Sequence, residues 1–237
     1  MKIKIGLLLC DHVPERLLAS FGDYPEMYKK AFNNLGFQIS WIVYDACKTE
    51  LPNTTREVDG FIISGSRFSV NDNEKWITAL ITFVRWLNQE RIPTVGICFG
   101  HQLIAKALGG VVEKLDSGWG VGCKEFLVDG KREWMKGSKE KLVVPAFHQE
   151  QITRLPVGGR LIASADYCTN FLMECNDQML GIQGHPEFRT EYISALLGER
   201  LAVLSETVFS EAEKSLTLSA DNTLIKSWIL DFIRLRS

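Results

Sequence analysis

The chain has 237 residues, of which 46% are hydrophobic and 24% charged, enough for one large core with an ordinary polar surface. Its formal net charge of −2 argues against nucleic acid or an anionic membrane as main partner. No apolar run approaches the ~20 residues that span a bilayer, and the six scattered cysteines lack CxxC pairing, so free thiols in a reducing, cytoplasmic setting are expected.

Lys2 to Leu9 is nearly continuously apolar, the pattern of a strand buried on both faces of a parallel sheet. Its end at Asp11-His12, without a small-residue cleavage site, distinguishes it from a signal peptide. Asp11 to Asp23 is read as a polar connection. Tyr24 to Leu35 has helical spacing and stops at Gly36. A second strand is expected over Phe37–Tyr44, and a third, Gly60–Ile63, within Glu57–Ser64. Asn73 to Gln89 is an amphipathic helix with Asp72 or Asn73 as its cap. Ile92 to Ile97 is the fourth strand, followed by Cys98, Gly100, a helical segment over Leu103–Leu108 and Gly109-Gly110.

Beyond Val111 the runs shorten: Val111-Val112, Gly122–Val128, Leu142–Phe147, Arg160–Ala163, Asn170–Cys175 and Met179–Gln183, separated by turn signals. Arg189–Glu199 and Ala220–Leu235 read as helices. The alternation predicts an α/β fold, a doubly wound, mostly parallel sheet with helices on both faces, in one domain over 1–237 with a C-terminal helical segment, 189–237. Ligands of such sheets bind at the carboxyl ends of strands, which sets Ser64-Gly65-Ser66 and Cys98 side by side.

Cys98 sits between glycines at 96 and 100, a strand-to-helix elbow in which small residues permit a sharp turn. A thiol there faces the positive end of a helix, which favours thiolate. An isolated cysteine at a strand–helix junction is more commonly a structural thiol, so a base must be sought elsewhere. Gly184-His185-Pro186-Glu187 supplies an imidazole and a carboxylate two residues apart, stiffened by proline. Nucleophile, base and orienting acid are the three roles that cysteine acyl transfer requires.

Gly96-Ile97-Cys98-Phe99-Gly100-His101-Gln102 followed by His185-Pro186-Glu187 resembles the class I (triad) glutamine amidotransferases, including the glutaminase domain of GMP synthase and free-standing γ-glutamyl hydrolases. The resemblance runs from about Ile3 to Phe188 and implies a flavodoxin-like domain. It implies Cys98, His185 and Glu187 as catalytic triad and Gly65, Ser66 and Phe99 around the oxyanion. It also implies Gln102, Phe147 and His148 near the substrate, Phe147-His148-Gln149-Glu150 resembling a His-x-Asp element with Glu150 in place of aspartate. Gly118-Trp119-Gly120-Val121-Gly122 resembles the segment leading into a middle strand. Where the family usually reads Ser-Gly-Gly-Pro, this chain has Ser64-Gly65-Ser66-Arg67. Losing the proline removes a restraint, and Arg67 either points into water or offers a guanidinium to a substrate carboxylate.

The reaction implied is cleavage of the γ-glutamyl amide of glutamine through a Cys98 thioester, with ammonia passed to a synthetase partner. One alternative is a γ-glutamyl peptidase acting on γ-glutamyl amides or peptides, and another a non-catalytic binding module. His101 is read as a packing residue. His148 with Glu150 lacks a third nearby ligand, so no metal is expected. No phosphate loop or Gly-x-Gly-x-x-Gly appears, so no nucleotide cofactor is expected.

Overall fold

The computed structural model describes residues 1–114, 118–137 and 139–237. Eleven strands run in chain order: β1 (Lys2–Leu9), β2 (Gln38–Asp45), β3 (Gly60–Ile63), β4 (Thr94–Ile97), β5 (Val111–Lys114), β6 (Gly120–Val128), β7 (Lys141–His148), β8 (Glu150–Arg154), β9 (Gly159–Ala165), β10 (Cys168–Cys175) and β11 (Met179–Ile182). The helices are α1 (Glu15–Phe21), α2 (Tyr24–Ala31), α3 (Lys75–Gln89), α4 (Phe99–Ala107), α5 (Thr190–Gly198), α6 (Glu206–Ser215) and α7 (Asn222–Arg236). Nine strands form one sheet, ordered β2-β1-β3-β4-β11-β10-β9-β6-β7, while β5 and β8 pair separately. From β2 to β11 all neighbours are parallel; from β11 to β7 all are antiparallel.

Strand alternation divides the core. Ile3, Ile5 and Leu7 of β1 and Ile62 of β3 point to the face covered by Tyr28 and Phe32 and by Trp228, Phe232 and Ile233 of α7. Leu8, Phe61 and Ile63 point to the opposite face, covered by Trp76, Leu80 and Val84 of α3 and Leu103 and Ile104 of α4. A third cluster joins Val13, Phe188, Tyr192, Leu197 and Ala212 beyond the sheet. No helix among the described residues is long and apolar enough to cross a membrane.

Several elements differ from expectation. The stretch Asp11–Asp23 contains α1, which buries none of its residues and so has only a weak apolar stripe. Helix α2 stops at Ala31, and Asn34 and Gly36 then turn through positive φ, although Leu35 still packs on the core. At α3 the cap is Glu74, without a side-chain bond. The expected cap Asp72 instead accepts the Ser69 N–H at 2.9 Å and closes the preceding loop. Helix α4 begins at Phe99, directly after Cys98 and four residues ahead of the expected start. Strand β8 and helix α6 have no counterpart in the sequence pattern.

Candidate active site

In-register pairing brings the site together. Leu8 of β1 pairs with Ile63 of β3, Ile63 with Gly96 of β4, and Ile97 with Ile182 of β11. Asp11, the Ser64–Arg67 loop, Cys98 and the Gln183–Phe188 segment therefore leave one edge of the sheet, the carboxyl end of its parallel strands.

Cys98 caps α4 with φ 51° and ψ −101°, a conformation rare for a residue with a side chain. Its neighbours explain why it holds. A Cβ on Gly96 would lie 2.3 Å from the Gly100 carbonyl, and one on Gly100 2.4 Å from the Ile63 carbonyl oxygen. Only glycines allow strand and helix to approach that closely. The thiol is buried, with Sγ 4.0 Å from the Phe147 carbonyl oxygen, and Gln183 Nε2 donates to it at 3.5 Å.

His185 and Glu187 lie on a turn closed by the Phe188 N–H donating to the His185 carbonyl at 3.2 Å, with Pro186 at its second position. The turn folds Glu187 back on its own imidazole, Nδ1 to Oε1 being 2.8 Å, which leaves Nε2 for Cys98. Burial alone would lower the basicity of His185. The adjoining Cys98 sulfur and Glu187 carboxylate outweigh burial and raise it to about 10, so the imidazolium is favoured. Tyr28 donates to Glu187 Oε1 at 3.4 Å, and Phe188 stacks on the imidazole at 4.3 Å and 4°.

Gly65 lies over this group: a Cβ there would come 2.8 Å from His185 Cε1 and 3.7 Å from Cys98 Cβ. The backbone N–H groups of Gly65, Ser66 and Phe99 donate to no described residue. Phe99, the first residue of its helix, has no intrahelical acceptor. These three N–H groups therefore have no partner among the described residues, and Gly65 and Ser66 line the same cavity as Cys98.

The other expected residues divide by role. Gln102 lines the cavity, but its amide donates to the Glu150 carbonyl at 2.7 Å and Gln183 Oε1 at 3.0 Å, so it braces the floor. His148 is buried, and burial pushes it down to about 3; Nδ1 donates to the Glu150 carbonyl at 3.1 Å. The Glu150 carboxylate turns to the Ser69 hydroxyl at 2.7 and 2.8 Å. His101 is fully buried and kept neutral, its Nε2 3.0 Å from the Asn170 carbonyl oxygen. Tyr28, Gln183 and Phe188 carry no sequence signal for the roles they hold here. Tyr28 meets Glu187 from α2 across 159 residues, a separation no local pattern carries.

Above the thiol lies a cavity of about 500 Å³. Cys98, His185, Gly65, Ser66, Phe147 and His148 form its floor; Pro14, Arg16, Trp119, Leu196, Glu199 and Arg200 line its outer part. The half-parallel sheet thus carries a strained cysteine, a histidine–carboxylate pair and unpartnered backbone donors at one edge, beneath one cavity.

The chain belongs to the class-I glutamine amidotransferase family, whose profile matches residues 17–197. It is 27% identical to gamma-glutamyl peptidase 3 of Arabidopsis thaliana, over 98% of this chain and 97% of that protein. It is 30% identical to the glutamine-hydrolyzing GMP synthase subunit of Sulfolobus acidocaldarius, over 71% of this chain and 86% of that one. A crystal structure of a glutamine amidotransferase from Thermotoga maritima has the same fold, with a TM-score of 0.72 at 20% identity, covering 97% of this chain and 98% of that one. The alignment with the peptidase takes in the C-terminal helices, a part of the sequence that the motifs alone leave unassigned.

Proposed function

We propose that this chain is a γ-glutamyl hydrolase that cleaves γ-glutamyl amides and peptides through a thioester on Cys98. Cys98 attacks the γ-carbonyl carbon, and the N–H groups of Phe99 and the Gly65-Ser66 loop meet the oxyanion, each donor contributing about 10²–10³ in rate. His185 gives its proton to the departing amine as the C–N bond breaks. It then takes a proton from water, which attacks the thioester and releases glutamate and the free thiol. Glu187 holds the imidazole tautomer, and Tyr28 and Phe188 hold Glu187 and His185 in turn.

The observation that carries the choice of substrate is the cavity. At about 500 Å³ it continues past the thiol to α1 and the end of α5, and a single free amino acid would leave much of it unfilled. The near full-length alignment with a gamma-glutamyl peptidase supports the same reading. The similarity to the glutamine-hydrolyzing part of a GMP synthase favours a second one, glutamine hydrolysis with ammonia passed to a synthetase.

A substrate panel separates them. The isolated protein is expected to release amine from γ-glutamyl dipeptides with a higher kcat/KM than ammonia from glutamine. Turnover of glutamine alone, or none until a synthetase is added, would establish the second reading instead.

A further inference from the structure

Arg67 stands where the family usually has a proline, and it does not simply extend into water. Its backbone N–H donates to Asp11 Oδ2 at 2.8 Å, its Nε to both Asp11 oxygens at 2.9 Å, and its Nη2 to the His12 carbonyl at 2.5 Å. Asp11 is itself buried. The segment behind it is tied down as well: His12 Nδ1 lies 2.7 Å from Asp23 and Nε2 3.2 Å from Asp45. The guanidinium is thus gripped along one edge, while its Nη1 donates to none of the described residues and Arg67 lines the cavity.

A guanidinium fixed in this way has already lost the side-chain entropy that binding would otherwise cost, and its free edge keeps parallel N–H donors suited to a carboxylate. The lining has cations at Arg16, Arg67, Lys114 and Arg200 and carboxylates at Asp11, Glu150 and Glu199. Arg67 pairs with Asp11 and Arg16 with Glu199, while among the described residues Glu150 accepts only from the neutral Ser69 hydroxyl. Lys114 and Arg200 then stand against Glu150, so the lining as a whole keeps one positive charge in excess for an incoming anion.

We infer that Arg67 binds the free carboxylate of the leaving group, and that the substrates are γ-glutamyl peptides whose released part is a short peptide acid. This rests on the γ-glutamyl hydrolase reading and narrows it. The test compares γ-glutamyl-alanyl-glycine with its C-terminal amide, using wild type, Arg67→Gln, Arg67→Ala and Arg67→Lys. Wild type should favour the acid at least about tenfold in kcat/KM, the first two variants should bring the ratio near one, and lysine should keep part of it. Damage to the loop would slow acid, amide and glutamine alike, so the ratio isolates recognition. A ratio near one in wild type, or one unchanged by Arg67→Gln and Arg67→Ala, overturns the inference and leaves the hydrolase reading standing. If neither peptide is cleaved, both fall.

Discussion

The floor of the cavity is built from strand ends, its outer wall from helix ends, and the two leave unequal room for change. On the floor, Gly65, Gly96 and Gly100 cannot accept a Cβ without meeting His185 or backbone atoms at 2.8 Å or less, and Cys98, His185 and Glu187 are buried. On the wall, Arg16 and Arg200 are exposed, and an Arg16–Glu199 ion pair joins α1 to α5. Close packing holds the proposed nucleophile, base and acid in place; in the proposed reaction the charged, solvated wall is the part free to select the substrate.

The comparison breaks most visibly at the floor. Cys98→Ala should abolish turnover and His185→Ala cost nearly as much, while Glu187→Gln should be about 10- to 100-fold milder, because nucleophile and base act as a unit that the carboxylate only orients. Steady-state rates with a γ-glutamyl dipeptide, beside circular dichroism to show the fold retained, check this; a fully active Glu187→Gln would remove that residue from the mechanism. Gly65→Ala comes next. Its methyl group would push on His185 and displace the loop, for an expected loss of about 10²–10³ in kcat, the value of one oxyanion donor, with a smaller change in KM.

Alkylation sharpens the contrast between the site and the rest of the molecule. Burial pushes up the thiols of Cys10 and Cys123, and those of Cys47 and Cys168 to about 12 and Cys175 to about 11. Cys98 instead borders the cavity. Iodoacetamide at neutral pH should label Cys98 at least about tenfold faster than the others, read by peptide mass spectrometry; equal labelling would make it a structural thiol. The smallest effect belongs to the wall. Glu199→Gln removes an ion pair whose arginine is 67% exposed, so thermal unfolding should show a loss of no more than about 1 kcal/mol, with kcat unchanged.

How much of this the sequence discloses follows the same division. The parallel half is legible, because strands buried on both faces are continuous apolar runs and the amphipathic α3 has a strong stripe. Cys98, His185 and Glu187 stand out because their two motifs, taken together, resemble those of the class I glutamine amidotransferases; the glycine and proline spacings alone mark only turns. The wall is not legible, and neither is helix α6 away from it. Helix α1 buries no residue and reads as a loop; α6 lies on β6, where the Ser215 hydroxyl accepts the Cys123 N–H at 2.9 Å, a contact across 92 residues. The Asp11–Arg67 grip likewise joins residues 56 apart, and sequence shows only that a proline is missing.

In the proposed reaction Cys98 carries a γ-glutamyl group during turnover, with no partner protein present. The direct measurement is acid-quenched mass spectrometry of the isolated protein during turnover of a γ-glutamyl dipeptide. One γ-glutamyl adduct is expected on the peptide containing Cys98, formed at the rate of amine release and lost as glutamate appears. Amine release with no adduct on Cys98, or with an adduct on another residue, would contradict it.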